Sequence, residues 1–486
     1  MLVPQGGSMA GRKAGYKTTA GPAAAAPRVL EPTQGYLVLL ESSGPQGATT
    51  VPVCSAAPPG NGPGPGRSER EQLGGAYADR LFDRLDLRRL VTYVPNKGLP
   101  VYNWFKYKEG FSRELVFRLL DKLGVGPSDV VLDPFAGCGT TLLACKEFGR
   151  RAIGLDILPV AVYVASVKLC GWPNLDELVS AVDDLLRRPV GEPKCEFPDL
   201  RIVDLAFDAQ TKSDILFYKE EIEKFAEPVR GFLMVGLLSI LEGVSRTSKD
   251  GQFLRLVERE VPPVKDALRE QLMTMIVDVS RQRRALFTWR QGRAEMFEGD
   301  ARQPCLPKRY LGRIAAVITS PPYLNRYDYS RTYALELCLL TVKNADDMRR
   351  VRHSLLRSHI ESREQAGRDL RLPALDEILA ALRSKNLNND RIPVMVKGYF
   401  EDMDLVIGNA ARYLRPGGRV ALVVANAQFA GEHVPTDLML SELAARHGLG
   451  TEEVWVTRYK GNSSQQMAIY GRRPVRESIV FCRKTA

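Results

Sequence analysis

The sequence predicts an α/β fold with a mostly parallel, doubly wound sheet. Three observations carry that prediction. From about Tyr77 onward, short apolar runs alternate with helical patterns, as strands joined by crossover helices require. Val130 to Thr141, VVLDPFAGCGTT, reads as a strand, a glycine turn and a helix start. Acids then stand at successive strand tips, Asp133 and Asp156, where a doubly wound sheet gathers its ligand groups.

Residues 1–75 come first and are rich in Gly, Pro, Ala and Ser, as in GPAAAAP at 21–27 and PPGNGPGPG at 58–66. Such an arm has too little apolar surface to offset its ordering entropy and is expected to stay mostly disordered. The clearest strands are Val130–Leu132, Arg151–Leu155, Ala315–Ile318, Arg419–Val424, Glu453–Val456 and Glu477–Phe481. A short helix, Thr141–Phe148, joins the first two and is stopped by Gly149. The first interruption, 166–293, is mainly helical, with three- and four-residue apolar spacing over Leu175 to Arg188, Ser213 to Phe225 and Val264 to Arg284. The second, 345–395, is polar and arginine-rich.

Lysine and arginine number 68 against 57 acids, a formal charge of +11. That balance favours anionic partners, nucleic acid first. The eight cysteines include no CxxC pair and no histidine at metal-ligand spacing. A reduced, intracellular chain without structural zinc is expected. The longest apolar run, Phe232 to Leu241, falls short of the about 20 residues a membrane helix needs, and no signal-peptide core opens the chain. The expected location is the cytoplasm, on the nucleoid when bound to DNA.

Gly137 and Gly139 permit a tight turn and close approach of backbone to a ligand. The helix behind them offers free N–H groups. No Gly-Lys-Ser/Thr follows, which argues against a P-loop, and Leu142 stands where a dinucleotide fingerprint has its third glycine. Asp156 suits ribose hydroxyls. Asp300, in Glu298-Gly-Asp-Ala-Arg302, suits an adenine amino group. One acid alone reads as a cap or turn residue; three in series at strand tips favour a ligand.

DPFAGCGT, GLD, GDAR and TSPPY together resemble the S-adenosylmethionine-dependent DNA amino-methyltransferases, most closely those specific for the N4 amine of cytosine. The resemblance covers roughly 100–160, 294–335 and 396–486. It implies a Rossmann-like class I methyltransferase fold with a seven-stranded sheet and helical insertions. The catalytic domain would comprise 76–165, 294–344 and 396–486, with 166–293 a candidate target-recognition insertion and 345–395 a candidate DNA contact. The implied cofactor is S-adenosylmethionine, with no metal. By the resemblance, Asp133, Pro134, Phe135, Gly137, Gly139, Thr140 and Thr141 lie along its methionine side, Asp156 holds the ribose and Asp300 reads the adenine. Glu109 to Leu115 resembles the family's N-terminal motif, where a helix start meets the cofactor's carboxylate. Ser112 is the expected N-cap there.

Ser320-Pro321-Pro322-Tyr323 is the expected catalytic tetrad. An exocyclic amine on a base is a poor nucleophile, because its lone pair is delocalised into the ring. Acceptors aimed at its hydrogens, the Ser320 hydroxyl and the Pro321 carbonyl, would draw the nitrogen toward tetrahedral geometry. The prolines hold both in place before reaction, and Tyr323 offers a flat face to a base turned out of the duplex. In-line transfer follows without a covalent enzyme intermediate. Serine at the first position leans toward cytosine. N6-adenine, and an exocyclic amine in RNA, stay open as targets, as does a binding protein that keeps the fold without activity. Cys305 follows a proline, as in C5-cytosine enzymes, but precedes the strand rather than following it, and reads as incidental.

Double-stranded DNA is the expected partner, with or without a cognate restriction or defence system. The arginines of Val279–Arg284 and Met348–Arg357, with Arg472, Arg473 and Arg476, are expected near phosphates. Arg326, Tyr327 and Tyr329 are expected near the flipped base. The loop Arg458 to Gln466 reads as a DNA contact or an exposed hairpin. The motif order is not the permuted one common among N4-cytosine enzymes, and the large insertion precedes Asp300.

Overall fold

The computed structural model describes residues 68–172, 174–249, 254–286, 292–362, 370–461 and 474–485. Most of the expected disordered arm, the tip Asn462–Gln466 and the pair Arg472 and Arg473 lie outside them. The end of the arm is corrected, because a helix, α1 (Glu69–Ala76), begins at Ser68. Ser68 and Glu71 form a capping box, each side chain accepting from the other's backbone N–H. Arg70 anchors the helix through Glu377 and Glu432, each at 2.7 Å.

The chain continues through β1 (Leu81–Asp83), α2 (Arg113–Lys122), β2 (Val130–Asp133), α3 (Thr140–Glu147), β3 (Arg151–Asp156) and α4 (Pro159–Leu169). Five helices follow: α5 (Leu175–Arg187), α6 (Arg201–Ala206), α7 (Ala209–Glu223), α8 (Val229–Ile240) and α9 (Val264–Leu286). Next come β4 (Ala294–Glu298), β5 (Ile314–Thr319), α10 (Tyr329–Thr332), α11 (Ala334–Leu340), α12 (Ala345–Ser354), α13 (Pro373–Arg383) and α14 (Ile392–Tyr413). The chain closes with β6 (Leu414–Ala425), α15 (Thr436–Arg446), β7 (Leu449–Lys460) and β8 (Val475–Lys484).

The main sheet runs β1-β7-β8-β6-β5-β2-β3-β4. Only β8 is antiparallel to its neighbours; every other pairing is parallel. Helices cover both faces, so β2 and β5 are buried along their whole length and read as unbroken apolar runs. The sheet has eight strands rather than the expected seven. The extra one, Leu-Phe-Asp of β1, is too short for a periodic signal and forms by pairing with Val454–Val456. The edge strand β4 also lacks a clear pattern, since Ala-Glu-Met-Phe-Glu buries neither face fully.

The helical interruption is continuous with the sheet's own layers. Helices α5, α7, α8 and α9 share one apolar core with α4 and α11. Trp104 and Trp172 each meet Phe232 edge to face there and are tilted against one another. The arginine-rich interruption is likewise built in, its Leu356, Leu372, Leu375 and Ile378 packing with α14 and the sheet.

Several arginines expected near phosphates are structural. Arg476, on β8, grips the buried Asp437 at 2.6 and 3.1 Å, with the Ser478 hydroxyl donating to the same carboxylate at 2.7 Å. Arg357 pairs with Asp402 at 2.7 Å and Glu401 at 2.9 Å, both buried. Arg352 donates to Asp328 at 2.9 Å. Each is drawn inward by an acid from a distant element, which local spacing does not reveal. Arg349 and Arg350 remain exposed on α12, each beside an acid three residues earlier.

Candidate active site

The strand order turns between β2 and β5, so the loops leaving these two strands meet at a switch point. Asp133 closes β2 and is 2% exposed. Its Oδ1 accepts from the Thr319 hydroxyl at 2.6 Å and the Phe135 N–H at 3.1 Å, and its Oδ2 accepts from the Thr141 hydroxyl at 2.6 Å. One carboxylate thus ties the glycine loop and the start of α3 to the residue before Ser320. Burial pushes Asp133 up to about 6, against the pull of these three donors.

The loop turns through Gly137 at φ 51° and Gly139 at φ 82°. Gly139 caps α3, leaving the first N–H groups of that helix open at the loop. A Cβ on Gly137 would stand 2.9 Å from the Tyr107 ring, so glycine is needed for space as well as for conformation. Its N–H donates to Asp156 Oδ2 at 2.8 Å, while Asp156 Oδ1 accepts from the Leu158 N–H at 2.9 Å. Burial raises the Asp156 carboxyl, and the N–H groups of Leu158, Gly137 and Ile157 oppose that rise.

A cavity opens against this loop. Phe135, Gly137, Thr140, Thr141, Asp133, Asp156, Ser320 and Pro322 all line it. The structure therefore brings together the acids and glycine of the first two strands with the first and third residues of the proline tetrad. Ser112, Pro134, Pro321 and Asp300 are not among the lining residues. Ser112 is fully buried and caps α2, its Oγ accepting from the Leu115 N–H at 3.2 Å. Pro134 lines a second cavity, with Val317 and Met403. Asp300 is held by Arg302 in a fork at 2.8 and 2.9 Å, and Arg302 continues to Asp402 at 3.1 Å.

Tyr323 also stands outside that lining. Its hydroxyl donates to Glu477 Oε1 at 2.8 Å, and the Ser320 hydroxyl lies 3.5 Å from the same phenolic oxygen. Lys460 Nζ sits 5.3 Å from the ring centroid. Burial, then Glu477, hold the phenol well above its ordinary value.

Sequence reasoning left several lining residues without a role. Glu109 faces the cavity and accepts from the Tyr333 hydroxyl at 2.6 Å and from the Tyr327 hydroxyl. Tyr107 stacks on Tyr333 at 5.0 Å and on Tyr329 at 6.4 Å, closing the segment after the tetrad onto the glycine loop. Tyr329, expected near the base, lines the cavity. Lys168 is buried at its edge and donates to the Tyr102 carbonyl at 3.3 Å; burial lowers its pKa. The row of tyrosines at 323, 327, 329 and 333 was a visible signal. Glu109 opened the N-terminal motif without a role of its own, and Lys168 carried no signal.

The fold and loop define a class I methyltransferase. A family model described as DNA methylase matches residues 79–167. Type II methyltransferase M.BsoBI of Geobacillus stearothermophilus is 34% identical over 455 residues, covering 82% of this chain and 88% of that one. Type II methyltransferase M.AvaI of Nostoc sp. is 34% identical over 440 residues, covering 83% and 90%. The chain belongs to the S-adenosylmethionine-dependent DNA amino-methyltransferases. Its cavity suits that cofactor: a carboxylate for the ribose diol, open helix N–H groups, and the acidic Glu109 for the cationic amino-acid end. Among the described residues, no helix is long and apolar enough to cross a membrane and no acid, histidine or cysteine cluster could hold a metal.

Proposed function

We propose that the protein methylates the exocyclic N4 amine of a cytosine turned out of duplex DNA. The observation that carries this reading is the Ser320 hydroxyl, which lines the same cavity as the glycine loop and Asp156. S-adenosylmethionine supplies, when bound, a methyl group on a sulfonium sulfur that leaves as the thioether. Asp156 takes the ribose hydroxyls, and the loop from Phe135 to Thr141 bounds the methionine side. Ser320 and the Pro321 carbonyl accept from the amine hydrogens, pulling the nitrogen out of conjugation so that its lone pair can attack. The prolines set both acceptors before the base arrives, so little reorganisation accompanies reaction. The adenine contact expected of Asp300 would have to share its carboxylate with Arg302.

Duplex DNA is the substrate polymer in this reading. Arg349 and Arg350 are among the exposed cations of the second interruption, within the described residues, that are offered to phosphates. Helices α5 to α9 are the candidate base-reading layer. The deciding experiment is nucleoside mass spectrometry after incubation of DNA and RNA with methyl-labelled cofactor. Label in N4-methylcytosine of DNA is expected. Label in N6-methyladenine would overturn the base, and label confined to RNA would overturn the polymer.

A further inference from the structure

Glu477, on β8, is a charged residue 1% exposed and 154 residues from the tetrad it touches. It is paired with Lys460 at 3.2 Å and with Arg458. A carboxylate so paired only accepts hydrogen bonds. Tyr323 has a single hydroxyl hydrogen, and the 2.8 Å contact commits it to Glu477. The phenolic oxygen then has only lone pairs to offer Ser320, 3.5 Å away.

We propose that Glu477 is a positioning residue, setting the direction of a relay that runs from the Ser320 hydroxyl through the Tyr323 hydroxyl to the Glu477 carboxylate. With its hydrogen turned toward Tyr323, the Ser320 oxygen keeps its lone pairs for the amine of the target base. Without Glu477, the Tyr323 hydrogen is free to turn onto Ser320 and occupy the lone pair that the amine needs. Burial supports the arrangement, since the phenol held well above its ordinary value keeps its proton throughout. The ring and the tether have separate duties: the ring packs, and the hydroxyl orients. The inference rests on the reading of Ser320 as the acceptor for the amine.

The test is a mutant cycle with steady-state kinetics on duplex DNA and calorimetry of S-adenosylhomocysteine. Tyr323→Phe keeps the ring and removes the relay. Glu477→Gln keeps the shape and supplies a donor of the wrong sense. Each is expected to lower kcat by about 10- to 100-fold, the range for one hydrogen bond to a charged group, with cofactor affinity unchanged. The double variant is expected to be no slower than the slower single one, because both break the same chain. In a Ser320→Ala background, Tyr323→Phe should add nothing. Multiplicative losses in the double variant, or full kcat in Tyr323→Phe, would overturn the relay while leaving Ser320 in place if Ser320→Ala is inactive. Retained turnover in Ser320→Ala would remove both the acceptor and the relay. If Glu477→Gln does not fold, the Ser320→Ala and Tyr323→Phe pair still decides the question.

Discussion

Thr319→Val removes one methyl-sized polar group at the junction of the two loops and leaves the side chain's shape intact. In the wild-type chain, burial raises Asp133 from an ordinary 3.8 to about 6, and the Thr319 hydroxyl at 2.6 Å is one of the donors limiting that rise. The sign of the pH effect follows from the raised value. The neutral carboxyl favours the folded state, so this contribution is fully present below about 3.8 and is lost as pH rises through about 6. Removing the donor raises Asp133 further and extends the loss to higher pH. A hydrogen bond to a charged group contributes about 1.5–3 kcal/mol, and the bond to a neutral carboxyl only about 0.5–1.5 kcal/mol. Thr319→Val should therefore cost more at about pH 8, where the carboxylate is ionised, than at about pH 5, by roughly 1–2 kcal/mol. Urea unfolding across that range, without cofactor, measures both ends. A penalty equal at the two pH values, or larger at the lower one, would refute the account of Asp133 as a buried carboxylate held by two hydroxyls.

Gly137→Ala places a Cβ 2.9 Å from the Tyr107 ring and asks alanine to adopt φ 51°. It should weaken S-adenosylhomocysteine binding by about 10-fold or more through displacement of Tyr107, at a stability cost of about 1–2 kcal/mol, and unchanged affinity by calorimetry would contradict the placement of that loop. Asp402→Ala leaves Arg302 and Arg357 short of a shared, fully buried carboxylate. A loss of about 3–5 kcal/mol in urea unfolding is expected, and a loss below about 1 kcal/mol would show that Asp300 and Glu401 suffice.

Much of the site was legible because its signals are local. A glycine turn between an apolar run and a helix start needs only about a dozen neighbouring residues to declare itself, and Gly137, Asp156 and Ser320 all reached the cavity. Ser112 was legible as an N-cap for the same reason. The arginine expectations that turned out differently depend on distant partners. Arg357 and Arg476 read as surface cations in a basic run, yet buried acids on α14 and α15 claim them.

The sequence by itself determined the class of fold, the glycine turn after β2 and the proline-rich end of β5. Each rests on φ values, apolar periodicity or proline rigidity that act over a few residues. Tertiary structure alone decided what holds them together. Asp133 meets Thr319 across 186 residues, and Tyr323 meets Glu477 across 154. Those pairings exist because β5 lies beside β2, and because the antiparallel strand β8 lies between β7 and β6. Strand order is a property of the whole packed sheet, so no stretch of chain carries it alone.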